Sequence, residues 1–262
     1  MATATQDLVS LDRYPMTALS SDEGRAFVAS CRQNYLATGL CELPEFVSAH
    51  GVRALAQEAG LVADRAWVCE SEHNAWLSTD DDAPAESVYA RKETTRVGSV
   101  AFDQIGEGLR GLYEWDALKE LIAGVLDKPQ LNRLADPLGA CSLNVFTDEG
   151  VHGWHFDEAE FTITLMLQAP ESGGAFEFVP QIRGSADETT RVGQILDGDR
   201  SGVRSLPFTP GTLLIFGGRQ SIHRVTDVHG GTPRLVAVLC YAEAPDVRNS
   251  PEVQRLFWGR TA

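Results

Sequence analysis

The chain has 262 residues, 43% of them hydrophobic and 23% charged, which allows a sizeable core and excludes disorder throughout. A formal net charge of −15, with no cluster of Lys and Arg, disfavours a nucleic-acid partner, since that binding rests on grouped cations. No apolar stretch approaches the roughly 18 residues that cross a membrane, so no membrane partner is expected. The opening MATATQDLVSLDRYPM lacks the basic-then-apolar pattern of a secretion signal. Cys31, Cys41, Cys69, Cys141 and Cys240 are scattered, without close pairs or metal-type spacing. Together these suit a reducing compartment, and a cytoplasmic protein is expected.

In chain order, Ser20-Ser21-Asp22-Glu23 reads as an N-cap before a helix from Gly24 to Ala37, where Phe27, Val28, Cys31 and Tyr35 recur at helical spacing. A second helix fits Ser48 to Ala66, with Val52, Leu55, Ala56 and Ala59 as its apolar stripe. Ser78 to Ser87 is polar, acidic and contains proline, the signature of a loop, in which Asp80-Asp81-Asp82 is a solvated run. Further helices fit Phe102 to Tyr113 and Trp115 to Leu126, the latter closed by Asp127-Lys128-Pro129.

Near residue 138 the pattern changes to short strands between Gly and Pro: Cys141–Phe146, Phe161–Gln168, Ala175–Val179, Gly202–Phe208, Thr212–Phe216 and Leu235–Tyr241. Regularly punctuated short strands imply a sandwich or barrel. The expectation is one α+β domain over 1–262, with 1–138 as mainly helical support against one sheet and 139–262 as the strand core.

His155 and Asp157 are two residues apart, so on an extended strand their side chains share one side. With His223 brought alongside, two imidazoles and one carboxylate would cover one face of an octahedron and leave three positions open. That is the donor set of non-haem Fe(II) oxygenases. Arg234 stands beside Leu235, Val236, Ala237 and Val238 on an apolar strand. A buried guanidinium there needs an anion, and a dicarboxylic cosubstrate supplies one through a charge-assisted bond.

The order His155-x-Asp157, His223, Arg234, with Gly173-Gly174-Ala175-Phe176-Glu177-Phe178 and His223-Arg224-Val225, resembles the Fe(II)/2-oxoglutarate-dependent oxygenase superfamily over about 143–242. The resemblance implies a double-stranded β-helix, or jelly-roll, core. It implies His155, Asp157 and His223 as metal ligands and catalytic centre, and Fe(II), 2-oxoglutarate and O2 as cofactor and cosubstrates. It also implies oxidative decarboxylation to succinate and CO2 coupled to removal of a substrate hydrogen atom. Thr164 and Asn144, on strands bordering the metal, are candidates to bind 2-oxoglutarate with Arg234.

Val151-His152-Gly153-Trp154-His155-Phe156-Asp157 and Leu256-Phe257-Trp258 resemble the branch acting on free amino acids, which includes lysine halogenases and their hydroxylase relatives. That likeness implies a small-molecule substrate, a free amino acid, held by Arg91, His152 and Trp258, whose N–H groups suit a carboxylate. Glu158 is a candidate for a substrate cation or a solvated loop carboxylate. Halogenases of this branch replace the metal carboxylate by a small residue. Asp157 stands there instead, so hydroxylation, ring closure such as cyclopropanation, or desaturation is expected. No further matched acidic residue completes a site for a lysine side chain, so a modified or neutral-tailed amino acid from a specialised biosynthetic pathway is as much expected as lysine itself. His50, His73 and His229 lack partner spacing and are expected at the surface or in caps. The competing readings are a cupin-type metal enzyme without 2-oxoglutarate and a non-catalytic jelly-roll binding module.

Overall fold

A computed structural model describes residues 5–77, 83–159, 161–206 and 208–262, so the Asp80-Asp81-Asp82 run lies outside the described residues. Helix α1 (Asp22–Thr38) starts where Ser21 accepts the Gly24 N–H at 3.0 Å. It ends at Gly39, whose φ of 81° is the left-handed cap that glycine adopts without penalty. Strand β1 (Leu40–Leu43) follows, then α2 (Ala49–Val62), capped by Ser48. Strands β2 (Trp67–His73) and β3 (Glu93–Val100) pair antiparallel, and α3 (Glu107–Glu114) and α4 (Asp116–Val125) complete the first half.

The second half holds β4 (Cys141–Phe146), β5 (Val151–His155), β6 (Phe161–Gln168), β7 (Phe176–Val179), α5 (Glu188–Leu196), β8 (Arg204–Leu206), β9 (Leu213–Phe216), β10 (Ile222–Val225), β11 (Arg234–Ala242) and α6 (Pro251–Trp258). All strand pairs are antiparallel, in the order β1-β9-β6-β11-β4-β3-β5-β10-β7-β8, with β2 also on β3. Strand β3 joins the two halves of the curled sheet: Gly98–Val100 pair with β4, while Thr95 and Arg96 pair with β5. The result is a barrel, as the strand pattern implies, in the jelly-roll form that the family resemblance implies.

Period-two alternation decides which side chains enter the barrel. On β6, Ile163, Leu165 and Leu167 join the core shared with the helices, whereas Thr162 and Thr164 face the interior cavity. On β11, Leu235, Ala237, Leu239 and Tyr241 face the helices, and Arg234, Val236 and Val238 face inward. Leu55 of α2, Leu109 of α3 and Leu121 of α4 are buried in that same core, so the helices do buttress one face of the sheet.

The first half is less helical than expected, since β1, β2 and β3 lie in it. Their sequences hide this. Strand β1 has four residues, β2 is largely exposed, and β3 opens in the charged run Arg91-Lys92-Glu93. The helix expected from Phe102 begins at Glu107, after a turn. The strand expected over Gly202–Phe208 is confined to Arg204–Leu206. Helices α5 and α6 were not expected. No helix among the described residues is long and apolar enough to cross a membrane.

Candidate active site

His155 lies opposite His223 in the β5–β10 pair, and the register shifts between His223 and Val225. Beyond His155 the chain leaves the strand. Phe156 N–H donates to Ala75 O at 2.8 Å, and Asp157 N–H to Gly218 O at 3.1 Å, which turns the Asp157 carboxylate back over the two rings. Each imidazole is oriented by its own backbone: Nδ1 of His155 lies 2.8 Å from Gly153 O, and Nδ1 of His223 lies 2.9 Å from Ser221 O. With the proton on Nδ1, each Nε2 is an acceptor aimed inward, the orientation a metal requires. Asp157 Oδ1 lies 3.6 Å from His155 Nε2 and 3.3 Å from His223 Nε2, and the three ligand atoms fall within 4.8 Å of one another.

Charge at this cluster is set by its surroundings. Burial, followed by the neighbouring His223, lowers the His155 pKa to about 4, so the ring is neutral at pH 7. Burial alone would raise Asp157, but His223 and His155 outweigh it and hold the carboxyl well below its usual range. Gly218 makes room for this carboxylate, since a Cβ there would lie 1.9 Å from Asp157 Oδ2. Two imidazoles and an ionised carboxylate match what Fe(II) takes in a facial triad.

An inner chamber runs from the triad to Arg234, walled by Asn144, Thr164, Phe176, Phe208, Phe216 and Val236 among others. Arg234 is 2% exposed, with its guanidinium over the rings of Phe146 and Phe208 at 5.1 and 5.7 Å. Its Nε has no partner, no carboxylate among the described residues pairs with it, and the Thr164 hydroxyl is also unpartnered. Burial lowers the Arg234 pKa to about 9, which still leaves a full cation at neutral pH. A buried cation and hydroxyl without acceptors, at the far end of a cavity that begins at a metal triad, fit a dicarboxylate spanning the two.

An outer chamber opens on the other side of the triad and shares Asn144, His152, His155, Asp157, Thr162 and Val238 with the inner one. Its remaining walls include Ser142, Cys240, Asn249, Phe257 and Trp258, with exposed Glu158 at the mouth. His152 stacks on His155 with centroids 3.6 Å apart and planes 14° from parallel. Burial, then His155, holds the His152 pKa well below its ordinary value. His152 Nε2 and Trp258 Nε1 are buried without hydrogen-bond partners.

The family model described as Halogenase D matches residues 24–256. The chain belongs to the Halogenase D family. Family, triad and jelly-roll barrel make it an oxidoreductase of the Fe(II)/2-oxoglutarate-dependent oxygenase class. Solved structures with this fold include the α-ketoglutarate-dependent epimerase SnoN from nogalamycin biosynthesis, at 15% identity and a TM-score of 0.60, covering 84% of each chain. HygX from Streptomyces hygroscopicus, solved with nickel, 2-oxoglutarate and hygromycin B, is 13% identical with a TM-score of 0.56, covering 82% of this chain and 87% of that one. A Pseudomonas putida prolyl-4-hydroxylase is 15% identical with a TM-score of 0.51, covering 83% of this chain and 99% of that one. No curated protein sequence matches the chain significantly.

Within this Halogenase D family member, His155, Asp157, His223, Arg234, Thr164, Asn144, His152, Glu158 and Trp258 all lie on the connected chambers. Arg91 does not. It follows a short helical turn (Val88–Ala90) and forms a surface ion pair with Asp197 at 2.8 Å, away from the residues lining either chamber. His73 is not a surface residue either. It is 1% exposed, bonded to Thr95 Oγ1 at 2.7 Å, and sits edge-on to His152 and His155. Thr162, Ser142 and Asn249 were not anticipated. Thr162 was within reach, lying two residues before Thr164 on the same strand face.

Proposed function

We propose that the protein oxidises an unactivated C–H bond of a free amino acid, or of a small molecule derived from one, in a biosynthetic pathway. The outcome is hydroxylation, ring closure or desaturation. The observation that carries this reading is the pair of buried, unpartnered ring nitrogens, His152 Nε2 and Trp258 Nε1, in the chamber next to the triad. Buried donors without acceptors cost stability, and a substrate carboxylate removes that cost on binding.

His155, Asp157 and His223 would hold iron(II), and Arg234 with Thr164 would take the distal carboxylate of 2-oxoglutarate. When bound, that group with O2 supplies the oxidising power that removes a hydrogen atom from the substrate, with release of succinate and CO2. The chain's own part is placement. His152 and Trp258 hold the carboxylate end, Glu158 at the mouth meets the amino group, and Asn144 reaches both chambers. Among the described residues, the deeper lining, with Ser142, Thr162, Cys240 and Asn249, carries no carboxylate besides Asp157, which supports a neutral rather than an ammonium-bearing tail.

Asp157 also supports oxidation over halogenation, despite the family's name. Its Oδ1 stands within 3.6 Å of both imidazole nitrogens and fills the third protein position, while Gly218 closes up behind it. The test is a panel of L-amino acids, including neutral-tailed analogues, incubated with Fe(II), 2-oxoglutarate and chloride. Substrate-dependent succinate and a product gaining one oxygen or losing two hydrogens is expected. A chlorinated product, or succinate stimulated by no amino acid, would overturn the reading.

A further inference from the structure

Asp136 is 1% exposed and faces no cation among its hydrogen-bond partners. Its carboxylate is satisfied instead by four N–H groups from two separate segments. Oδ1 accepts from the Leu138 and Gly139 amides, each at 2.8 Å. Oδ2 accepts from the Asn249 amide at 2.9 Å and from Gln254 Nε2 at 2.8 Å. Gln254, itself 3% exposed, uses its Oε1 to accept from the Ala262 amide at 3.1 Å. The Asp136 side chain thus ties the turn before β4 to the start and the middle of the C-terminal segment that carries α6, and Gln254 extends the link to its end.

Both tied segments are walls of the outer chamber. Gly139 faces Asn249, Val253, Phe257 and Trp258 there. Their fit is close: a Cβ on Gly139 would lie 2.2 Å from Asn249 Nδ2 and 2.5 Å from the Trp258 ring. Backbone pairing brings the two segments together only up to this point: Asn132 and Arg133 pair with Ala242 and Tyr241, and Ala135 N–H donates to Val247 O at 2.9 Å, whereas α6 itself pairs with no strand and lies on the β2–β3 ribbon. A charge held by four donors with no counter-ion is a strong, directional link, and losing half of its acceptor capacity leaves buried donors unsatisfied.

We propose that Asp136 is a positioning residue for substrate, a buried carboxylate clamp that sets Asn249 and Trp258 against Gly139 and so fixes this wall of the outer chamber. The effect on substrate rests on the outer chamber being the substrate site. The clamp itself does not. In Asp136→Asn the amide can still accept from Leu138 and Gly139, but its NH2 then faces the N–H donors of Asn249 and Gln254. Adding Gln254→Glu reverses that polarity and restores one bond between 136 and 254.

The experiment is hydrogen exchange of the full-length Fe(II)-loaded protein, with anaerobic 2-oxoglutarate titration and steady-state kinetics on the amino acid selected by the panel. For Asp136→Asn, amides of 138–140 and 249–258 should exchange about tenfold faster while the barrel strands do not. Affinity for 2-oxoglutarate should stay within about twofold, and KM should rise about tenfold with a smaller change in kcat. Gln254→Ala should give a weaker version of the same pattern, and the double variant Asp136→Asn/Gln254→Glu should recover part of the protection and of the KM. Faster exchange throughout the barrel with parallel loss of 2-oxoglutarate binding would show a global stabilising role and overturn the proposal. So would local opening with unchanged KM. A panel without a substrate would defeat the amino-acid reading, while the exchange and titration results would still decide the clamp.

Discussion

The inner chamber is walled by regular strands: Thr164 on β6, Phe176 on β7, Phe216 on β9, and Arg234 and Val236 on β11. The outer chamber takes Asn144 and Ser142 from β4, but much of the rest comes from elsewhere. Glu158 and Asn249 lie outside strands and helices, and Phe257 and Trp258 lie on α6. The inner end is aromatic with one unpaired cation, whereas the outer end mixes apolar side chains with Ser142, Asn249 and the unpartnered ring nitrogens of His152 and Trp258. The difference separates what a whole class of enzymes shares from what one member selects. On the proposed function, a cosubstrate common to the class would be gripped by the barrel, whose register admits little change, and the substrate by segments that can vary without rebuilding the sheet.

The largest expected effect falls where the two chambers meet. Asp157→Ala should lower metal-dependent turnover by about a thousandfold, as expected for loss of several kcal/mol of metal-borne stabilisation. Succinate release at saturating iron checks it, and near-normal turnover would remove Asp157 from the triad. Next comes the inner end. Arg234→Met should weaken 2-oxoglutarate about a hundredfold, the scale of truncating one partner of a buried charge pair. Without cosubstrate the same change should leave thermal stability equal or higher, since it replaces an unpaired buried cation by an apolar chain. Calorimetric titration and melting curves read both, and an intact affinity would break the contrast between the chambers.

The outer end should respond more mildly. Trp258→Phe keeps the ring but deletes its donor, so KM for the amino acid should rise about tenfold while 2-oxoglutarate affinity holds. A fall in 2-oxoglutarate affinity instead would merge the two chambers functionally. The smallest effect belongs to Arg91→Ala, which removes an exposed ion pair with Asp197. Stability should change by about 0.5 kcal/mol or less, and turnover by less than about twofold. A large rise in KM would restore Arg91 as a substrate contact.

How much of this was legible in the sequence follows the same divide. His155, Asp157, His223 and Arg234 stand out through their residue types and order, and because an ion inside an apolar run demands a partner. The expected strand alternation does not place Asp157, which follows the end of β5 and is held through its backbone bond to Gly218. Strands β4 and β6 were readable to their ends from the punctuated strand pattern. Strand β3, which joins the two halves of the barrel, was not, since its polar start masks a strand paired on both sides. Ser142 and Asn249 come together only through the tertiary fold, and no spacing links them. Arg91 carried the right charge in a suggestive place, but Asp197, distant in sequence, claims it. His73 had no partner spacing because Thr95, its partner on β3, lies across a strand pair that the sequence hid.

The most direct test is anaerobic titration of the Fe(II)-loaded protein with 2-oxoglutarate, followed by visible absorption, with wild type and Arg234→Met side by side. Wild type should develop the weak charge-transfer band of a keto acid chelated to Fe(II) at a three-ligand site. The variant should develop it only at about a hundredfold higher 2-oxoglutarate. Iron bound without any band in wild type, or identical curves for the two proteins, would contradict a cosubstrate held between the triad and Arg234.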